Sequence, residues 1–332
     1  MVRVACLLFL LLSLVGCSSP ASAVPMARVA AAGVAGDVRL WQDAGIFTVV
    51  GDLIRSAQRR VMVEMYELGR VDLVQALGAA HDRAVDVRVI TDPTVQASRA
   101  SAVRLRALGV SQRAYPIDDT RHQIDHVKLL IADGEAVVGG MNWGAHSDRN
   151  HDYVLETRIA AEVGRLSAIF AQDWALAGGH PSPLAAALGA VAQTAPGDEI
   201  RRMLEGALLG ATHRVLAEVY TLTDAQVTAE LVIAHRRGAD VRVVLDPNQA
   251  YNLHAAVMLR AGGVAVRWYP VPRGVLLHAK IGLFDGVLVL GSANWTVSGL
   301  GVNHELDIET LDPQAVGAYG SRFESDWARS AA

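Results

Sequence analysis

Apolar residues recur along this chain at two alternating spacings. A 3.6-residue period predicts helices over 46–57, 71–82 and 98–108, and short apolar runs predict strands over 60–66 and 86–91. The order then repeats. Helices are predicted over 199–210, 225–237 and 253–261, with strands over 214–220 and 240–245. The apolar strands VRVI and VRVVL lie between helices. That pattern predicts an α/β fold whose sheets are largely parallel and covered on both sides. Residues 177–197, rich in Ala, Gly and Pro, read as the linker between a first domain (37–176) and a second (198–332).

The repetition extends to the residues themselves. VMVEMYEL (61–68) matches VLAEVYTL (215–222), and AAHDRAVDVRVITDP (79–93) matches IAHRRGADVRVVLDP (233–247). Met141-Asn142-Trp143 matches Ala293-Asn294-Trp295, and Asn150-His151-Asp152 matches Asn303-His304-Glu305. The repeat is too long for a solenoid and has the size of a domain.

Lysine is confined to two equivalent places. The chain has 28 arginines but only Lys128 and Lys280, in His126-Val-Lys128-Leu-Leu-Ile-Ala-Asp133 and His278-Ala-Lys280-Ile-Gly-Leu-Phe-Asp285. An arginine-rich chain that keeps lysine only there needs a compact ammonium, not a planar fork. Asp133-Gly134 and Asp285-Gly286 predict two-residue hairpin turns, with the aspartates as turn residues. His126 and Lys128 then share a strand face, with Gly139 opposite Lys128 and Gly291 opposite Lys280, leaving open space beside each ammonium. Asn142 and Asn294 fall at the same strand end. Each half thus offers imidazole, ammonium and amide together.

At the N-terminus Arg3 precedes an apolar run too short to span a bilayer, a signal-peptide pattern over 1–16. The run closes on Leu14-Val15-Gly16-Cys17, which resembles the lipobox of bacterial lipoproteins. That resemblance implies an acyl anchor on Cys17, a tether over 17–36, and an extracytoplasmic, membrane-anchored protein. The alternative is an ordinary signal peptide cut after Ala-Ser-Ala (21–23). Cys6 leaves with the leader, so no thiol pair supports the fold. The formal net charge is −4, and the arginines are scattered among acids. That balance disfavours nucleic acid as a partner without excluding it.

The paired motifs resemble those of the phospholipase D superfamily, in which HxKxxxxD is followed by GSxN. The second half has Gly291-Ser292-Ala293-Asn294. The first has Gly139-Gly140-Met141-Asn142, with glycine in place of serine. The resemblance implies two homologous α/β/α domains packed about a pseudo-twofold axis, with one shared site. It further implies a phosphohistidine intermediate and an acidic residue that orients each imidazole, for which Asp152 and Glu305 stand at the right distance after their histidines. A phosphodiester needs a neutral histidine to attack phosphorus and a protonated one to release the leaving oxygen. His126 is assigned as nucleophile and His278 as acid, with Lys128, Lys280, Asn142 and Asn294 on the non-bridging oxygens. No metal or other cofactor is implied.

Further candidates are Glu64 and Glu218, as supports behind the site or structural pairs, and Ser292, Trp143 and Trp295, as groove-lining residues or, for the indoles, core. His122, His146 and His151 crowd His126 in sequence, but they lack a metal-ligand spacing and would leave the lysines without a role. The expected substrate is phospholipid, reached by a monomer held at the membrane, with hydrolysis or transfer to an alcohol as outcomes. The alternatives are an extracytoplasmic nuclease of the same superfamily and an inactive lipid-binding lipoprotein.

Overall fold

The computed structural model describes residues 36–181, 183–187, 189–194 and 197–332. The expected leader, Cys17 and nearly all of the expected tether lie outside the described residues. The first half comprises β1 (Val38–Gln42), α1 (Gly45–Ser56), β2 (Arg60–Met65), α2 (Val71–Asp82), β3 (Asp86–Thr91), α3 (Gln96–Ala107), β4 (Ser111–Ala114), β5 (Lys128–Ala132), β6 (Glu135–Gly139), β7 (Tyr153–Thr157) and α4 (Ala160–Leu176). The second comprises β8 (Val191–Gln193), α5 (Glu199–Gly210), β9 (Arg214–Val219), α6 (Ala225–Arg236), β10 (Asp240–Leu245), α7 (Asn252–Ala261), β11 (Ala265–Trp268), β12 (Lys280–Phe284), β13 (Val287–Gly291), α8 (Val297–Gly301), β14 (Leu306–Thr310) and α9 (Pro313–Arg329).

Each half is built on a seven-stranded sheet, ordered β1-β7-β6-β5-β2-β3-β4 and β11-β10-β9-β12-β13-β14-β8. The sheets are mixed, which corrects the expectation of largely parallel ones. Only β2–β3–β4 and β9–β10–β11 run parallel, joined by crossover helices. The rest of each sheet is antiparallel, because β5–β6 and β12–β13 are tight hairpins. A second correction concerns the expected linker: Val191–Gln193 within it forms β8, the edge strand beside β14.

Helix faces follow the apolar spacing. Ile46, Val50 and Ile54 of α1 are fully buried against the outer face of the first sheet. Asp224 and Asp312 start α6 and α9 by accepting N–H bonds from the first turn, and Pro313 follows Asp312 where a missing N–H costs nothing. A third core lies between the halves. It joins Leu129, Ile131 and Val138 of the first sheet to Ile281, Leu283 and Leu290 of the second, with Phe170 of α4 and Phe323 of α9. The two sheets therefore share one apolar interior, and the strand ends bearing both motifs meet at its edge.

Candidate active site

The hairpins aim the motifs. Asp133 and Asp285 adopt left-handed φ values of 50° and 53° at the turns. Their carboxylates accept backbone N–H bonds from Gln58, Arg59 and Arg60, and from Thr212, His213 and Arg214. These aspartates lock the turn at the far end of each hairpin. Gly139 and Gly291 do not serve the open space expected of them. A Cβ at Gly139 would lie 2.4 Å from the Tyr153 carbonyl oxygen, and one at Gly291 would lie 2.0 Å from Asp307 Oδ1. Glycine is required there for close strand approach.

Beyond the strand ends the halves interlock. His126 N–H donates to the His304 carbonyl at 2.8 Å, and His304 N–H to the Ile124 carbonyl at 2.9 Å. His278 N–H donates to the His151 carbonyl and His151 N–H to the Leu276 carbonyl, both at 2.8 Å. These bonds carry each orienting carboxylate to the opposite half. His126 Nδ1 donates to Glu305 Oε2 at 2.8 Å, and His278 Nδ1 to Asp152 Oδ2 at 2.7 Å. Sequence spacing alone associates each acid with the histidine of its own half; the structure crosses them. With Nδ1 carrying the proton, Nε2 of each imidazole presents a lone pair.

Each lysine lies under its own motif. Lys128 Nζ donates to the His126 carbonyl and Lys280 Nζ to the His278 carbonyl, both at 2.5 Å. Lys280 Nζ is also 3.0 Å from Nδ1 of the His278 ring. Tyr66 and Tyr220 take equivalent positions, each with its ring centroid 4.8 Å from a site histidine and about 5 Å from an ammonium. The Oδ1 atoms of Asn142 and Asn294 are buried without a hydrogen-bond partner among the described residues. Both amide oxygens are thus uncommitted among the described residues.

The substitution of Gly140 for serine now has a cause. Ser292 Oγ donates to Glu305 Oε2 at 2.6 Å and accepts from Leu306 N–H at 2.9 Å, bridging the two. In the first half the shorter Asp152 reaches back and accepts directly from Tyr153 N–H at 2.8 Å. A Cβ at Gly140 would lie 2.3 Å from Asp152 Oδ1. Serine goes with glutamate and glycine with aspartate, as matched pairs.

The remaining candidates lie elsewhere. Trp143 and Trp295 do not line a groove: both indoles are buried in the outer cores. Ser292 is also fully buried and acts through Glu305. Glu64 and Glu218 sit behind the site, beside His304 and His151 respectively. His122 and His146 are exposed and take no part. Sequence reasoning missed His151 and His304 as the residues that interlock the halves, although their matched Asn-His-acid context was visible. Asn303, whose Nδ2 donates to Glu305 Oε1 at 3.0 Å, was also missed.

Burial governs the charge state. Together with the nearby ammonium groups it holds His126 well below the usual histidine range and His278 down at about 3. It draws Lys128 down to about 7 and Lys280 to about 8, and pushes Glu305 up to about 7. The lowered histidines favour neutral imidazoles, so the dyads are hydrogen bonds and not ion pairs, and Glu305 titrates close to pH 7. Lys280 lowers His126 and Lys128 lowers His278, which places all four groups in one electrostatic site.

Residues 50–174 and 204–327 each match the family model described as cardiolipin synthase, PLD-like domain. The chain belongs to this phospholipase D-like family. It is 37% identical over 122 residues to a mitochondrial cardiolipin hydrolase of Xenopus laevis, a match covering 36% of this chain and 57% of that protein. A longer match, 27% identical over 319 residues, covers 84% of this chain and 65% of a cardiolipin synthase A of Pseudomonas syringae pv. syringae. The chain thus spans little more than half the length of the cardiolipin hydrolases it matches. Among solved structures, a phosphatidylserine synthase of Haemophilus influenzae superposes with a TM-score of 0.69 at 12% identity, over 89% of this chain and 86% of that one. The two proteins share the fold.

Proposed function

We propose that this chain is a phospholipase D-type phosphodiesterase that cleaves anionic phospholipid at a membrane surface. The observation that carries the reaction is the pair of crossed dyads, which presents two Nε2 atoms with two ammonium groups and two asparagine amides. His126 Nε2 attacks phosphorus. As the N–P bond forms, the P–O bond to the leaving group breaks and His278 delivers a proton to that oxygen. His278 then takes a proton from water or an alcohol, which attacks phosphorus and releases His126. Lys128, Lys280, Asn142 and Asn294 stabilise the charge on the non-bridging oxygens. A bound diester anion offsets the two ammonium charges and lets His278 hold its proton. Asp152 supports that role: Oδ1 is taken by a backbone N–H, and Oδ2 faces the imidazole.

Lipid is favoured by the helices flanking the site. Asn252, at the start of α7, donates to the Tyr220 carbonyl at 2.9 Å, and Gln249 donates to the Tyr220 hydroxyl at 2.7 Å. Beyond this junction Tyr251, Leu253, Val257 and Met258 are 74%, 59%, 64% and 49% exposed. An outward apolar helix face is a membrane or partner contact by default. The equivalent α3 is tied to the Tyr66 carbonyl by Ser98 at 2.6 Å and exposes Val103 together with Arg99, Arg104 and Arg106. Apolar and cationic surfaces on either side of one site suit a bilayer of anionic lipid. The names of the cardiolipin-processing relatives point the same way. An acyl group on Cys17 would hold the site at such a surface, and Cys17→Ser should release the protein from the membrane fraction.

The deciding experiment compares purified protein on vesicles of phosphatidylcholine, phosphatidylglycerol and cardiolipin with single-stranded and duplex DNA. Phosphatidic acid or head-group exchange from the anionic vesicles is the expected result. Cleavage of DNA alone would establish the nuclease, and no turnover of any substrate the inactive lipoprotein.

A further inference from the structure

Behind the site lie two buried clusters, each made by a histidine inserted into the opposite half. His151 Nε2 lies 3.4 Å from Glu218 Oε2 and 3.2 Å from Asp326 Oδ2, with its ring stacked on Tyr269. His304 Nε2 lies 3.7 Å from Glu64 Oε1 and 3.0 Å from Asp173 Oδ2, with its ring stacked on Tyr115. The residues correspond across the repeat, but their surroundings do not. In the first of these clusters Arg322 donates to Asp326 at 2.6 Å and to Asp43 at 3.2 Å, Arg329 bonds Asp326, and the Tyr153 hydroxyl donates to Glu218 at 2.7 Å. The positions equivalent to Arg322, Arg329 and Tyr153 are Ile169, Leu176 and Leu306. The other cluster has therefore lost two guanidinium charges and a hydroxyl donor while keeping the counterparts of Glu218 and Asp326; Thr194 stands where the first has Asp43, and Asp125 is added where the first has Leu277. Glu64 and Asp173 are wholly buried, and Asp125 beside them is equally buried. Both oxygens of Glu64, Oδ2 of Asp125 and Nδ1 of His304 have no hydrogen-bond partner among the described residues. Unpaired carboxylates in such a place are costly.

We propose that Glu64, Asp173 and His304 bind a divalent cation of the first transition row, zinc foremost, whose two charges replace the two missing arginines. The three candidate ligand atoms lie within 4.8 Å of one another. The separations of 3.0 and 3.7 Å bracket the roughly 3.3 Å between neighbouring ligands of a tetrahedral zinc with bonds of about 2.0 Å. One imidazole with two carboxylates suits zinc or manganese better than calcium or magnesium. His304 binds as the neutral ring, through Nε2. The ion takes no part in phosphoryl transfer. It joins strand β2 and helix α4 of the first half to His304 of the second, whose carbonyl receives the His126 N–H at 2.8 Å. It thereby braces one site histidine from behind. The proposal stands apart from the substrate assignment, because its readout is metal content.

The test is elemental analysis of untagged full-length protein produced with zinc and manganese in the medium and dialysed without chelator. About one equivalent of zinc or manganese per chain is expected. Glu64→Gln and Asp173→Asn should each lose it, and the mirror variant Glu218→Gln, whose cluster has its arginines, should retain it. X-ray absorption on the zinc-loaded wild type guards against variants that fail to fold: a nitrogen and oxygen shell with one imidazole is expected. Wild type with under about a tenth of an equivalent of either metal, a shell containing sulfur from Cys6 or Cys17, or a well-folded Glu64→Gln that keeps its metal would each overturn the proposal.

Discussion

At the scale of residues, the two halves solve one problem with different side chains. Ser292 with Glu305 and Gly140 with Asp152 each tie a site carboxylate to the backbone N–H that follows the Asn-His-acid motif. Gly140→Ser alone should push Asp152 off His278 and cut kcat roughly 100-fold, since displacing a catalytic partner by about 1 Å costs that much. Adding Asp152→Glu rebuilds the pair of the second half and should recover part of the loss. A double mutant no better than the single one, in steady-state kinetics, would show that the pairs are independent. The histidines separate by role. Loss of the acid His278 should lower turnover of an alkyl diester by about 10²–10⁴-fold, and loss of the nucleophile His126 should abolish it. With a p-nitrophenyl leaving group, which leaves without a proton, His278→Ala should still complete the first step and accumulate a phosphoryl adduct on His126, visible by intact-protein mass spectrometry. An adduct on His278 in His126→Ala would reverse the roles. The His, Lys and Asn of the motifs were legible in the sequence because each recurs in a matched frame. The crossing of Asp152 and Glu305 was not, since spacing along the chain does not say which half an acid faces.

Secondary-structure elements were legible where periodicity was long. Helices over 46–57 and 225–237 are displaced by at most one residue at either end from α1 and α6. Strand direction was legible only at the Asp-Gly turns, which marked β5–β6 and β12–β13 as antiparallel hairpins. The runs KLLIA, EAVVG and YVLET are almost wholly buried, and burial on both faces occurs in antiparallel strands as readily as in parallel ones once a second sheet covers them. The three-residue β8 carries no period at all and was absorbed into the expected linker. α7 shows the opposite failure: its helical spacing is plain, yet only the structure reveals that Leu253, Val257 and Met258 face outward. If that face meets lipid, Leu253→Glu with Val257→Glu should lower turnover of anionic vesicles by ~10-fold or more, because each apolar side chain contributes about 1.5–3 kcal/mol on burial. Turnover of a short-chain soluble diester should stay unchanged. An equal fall on both substrates would assign α7 to folding and not to the membrane.

At the scale of the whole molecule, the shared interior is what makes the site electrostatically poised. Burial costs both ammonium groups proton affinity, and for Lys128 the nearby Lys280 adds to the loss. Neither half alone would do this, and duplication in the sequence gives no measure of it. The consequence is a pH dependence with a definite sign. A lysine with a lowered pKa loses its charge as pH rises, so the free protein sheds its phosphate-binding charges as pH passes through about 7 for Lys128 and about 8 for Lys280. kcat/KM, which reports the free protein, should therefore fall on the alkaline side from about pH 7–8. A bound diester anion restores proton affinity to both lysines, so kcat should keep its plateau to higher pH. Glu305 sets the other limb. Burial and the lysines keep His126 itself unprotonated well below its ordinary range, but Glu305, pushed up to about 7, must be ionised to accept the Nδ1 proton and leave Nε2 bare, so kcat/KM should fall on the acid side as pH drops through about 7. Lys128→Arg cannot lose its charge in this range, so in that variant the alkaline fall should move to the higher value set by Lys280, whatever the penalty in rate from the wider guanidinium. An alkaline limb unmoved by Lys128→Arg would show that some other group controls it.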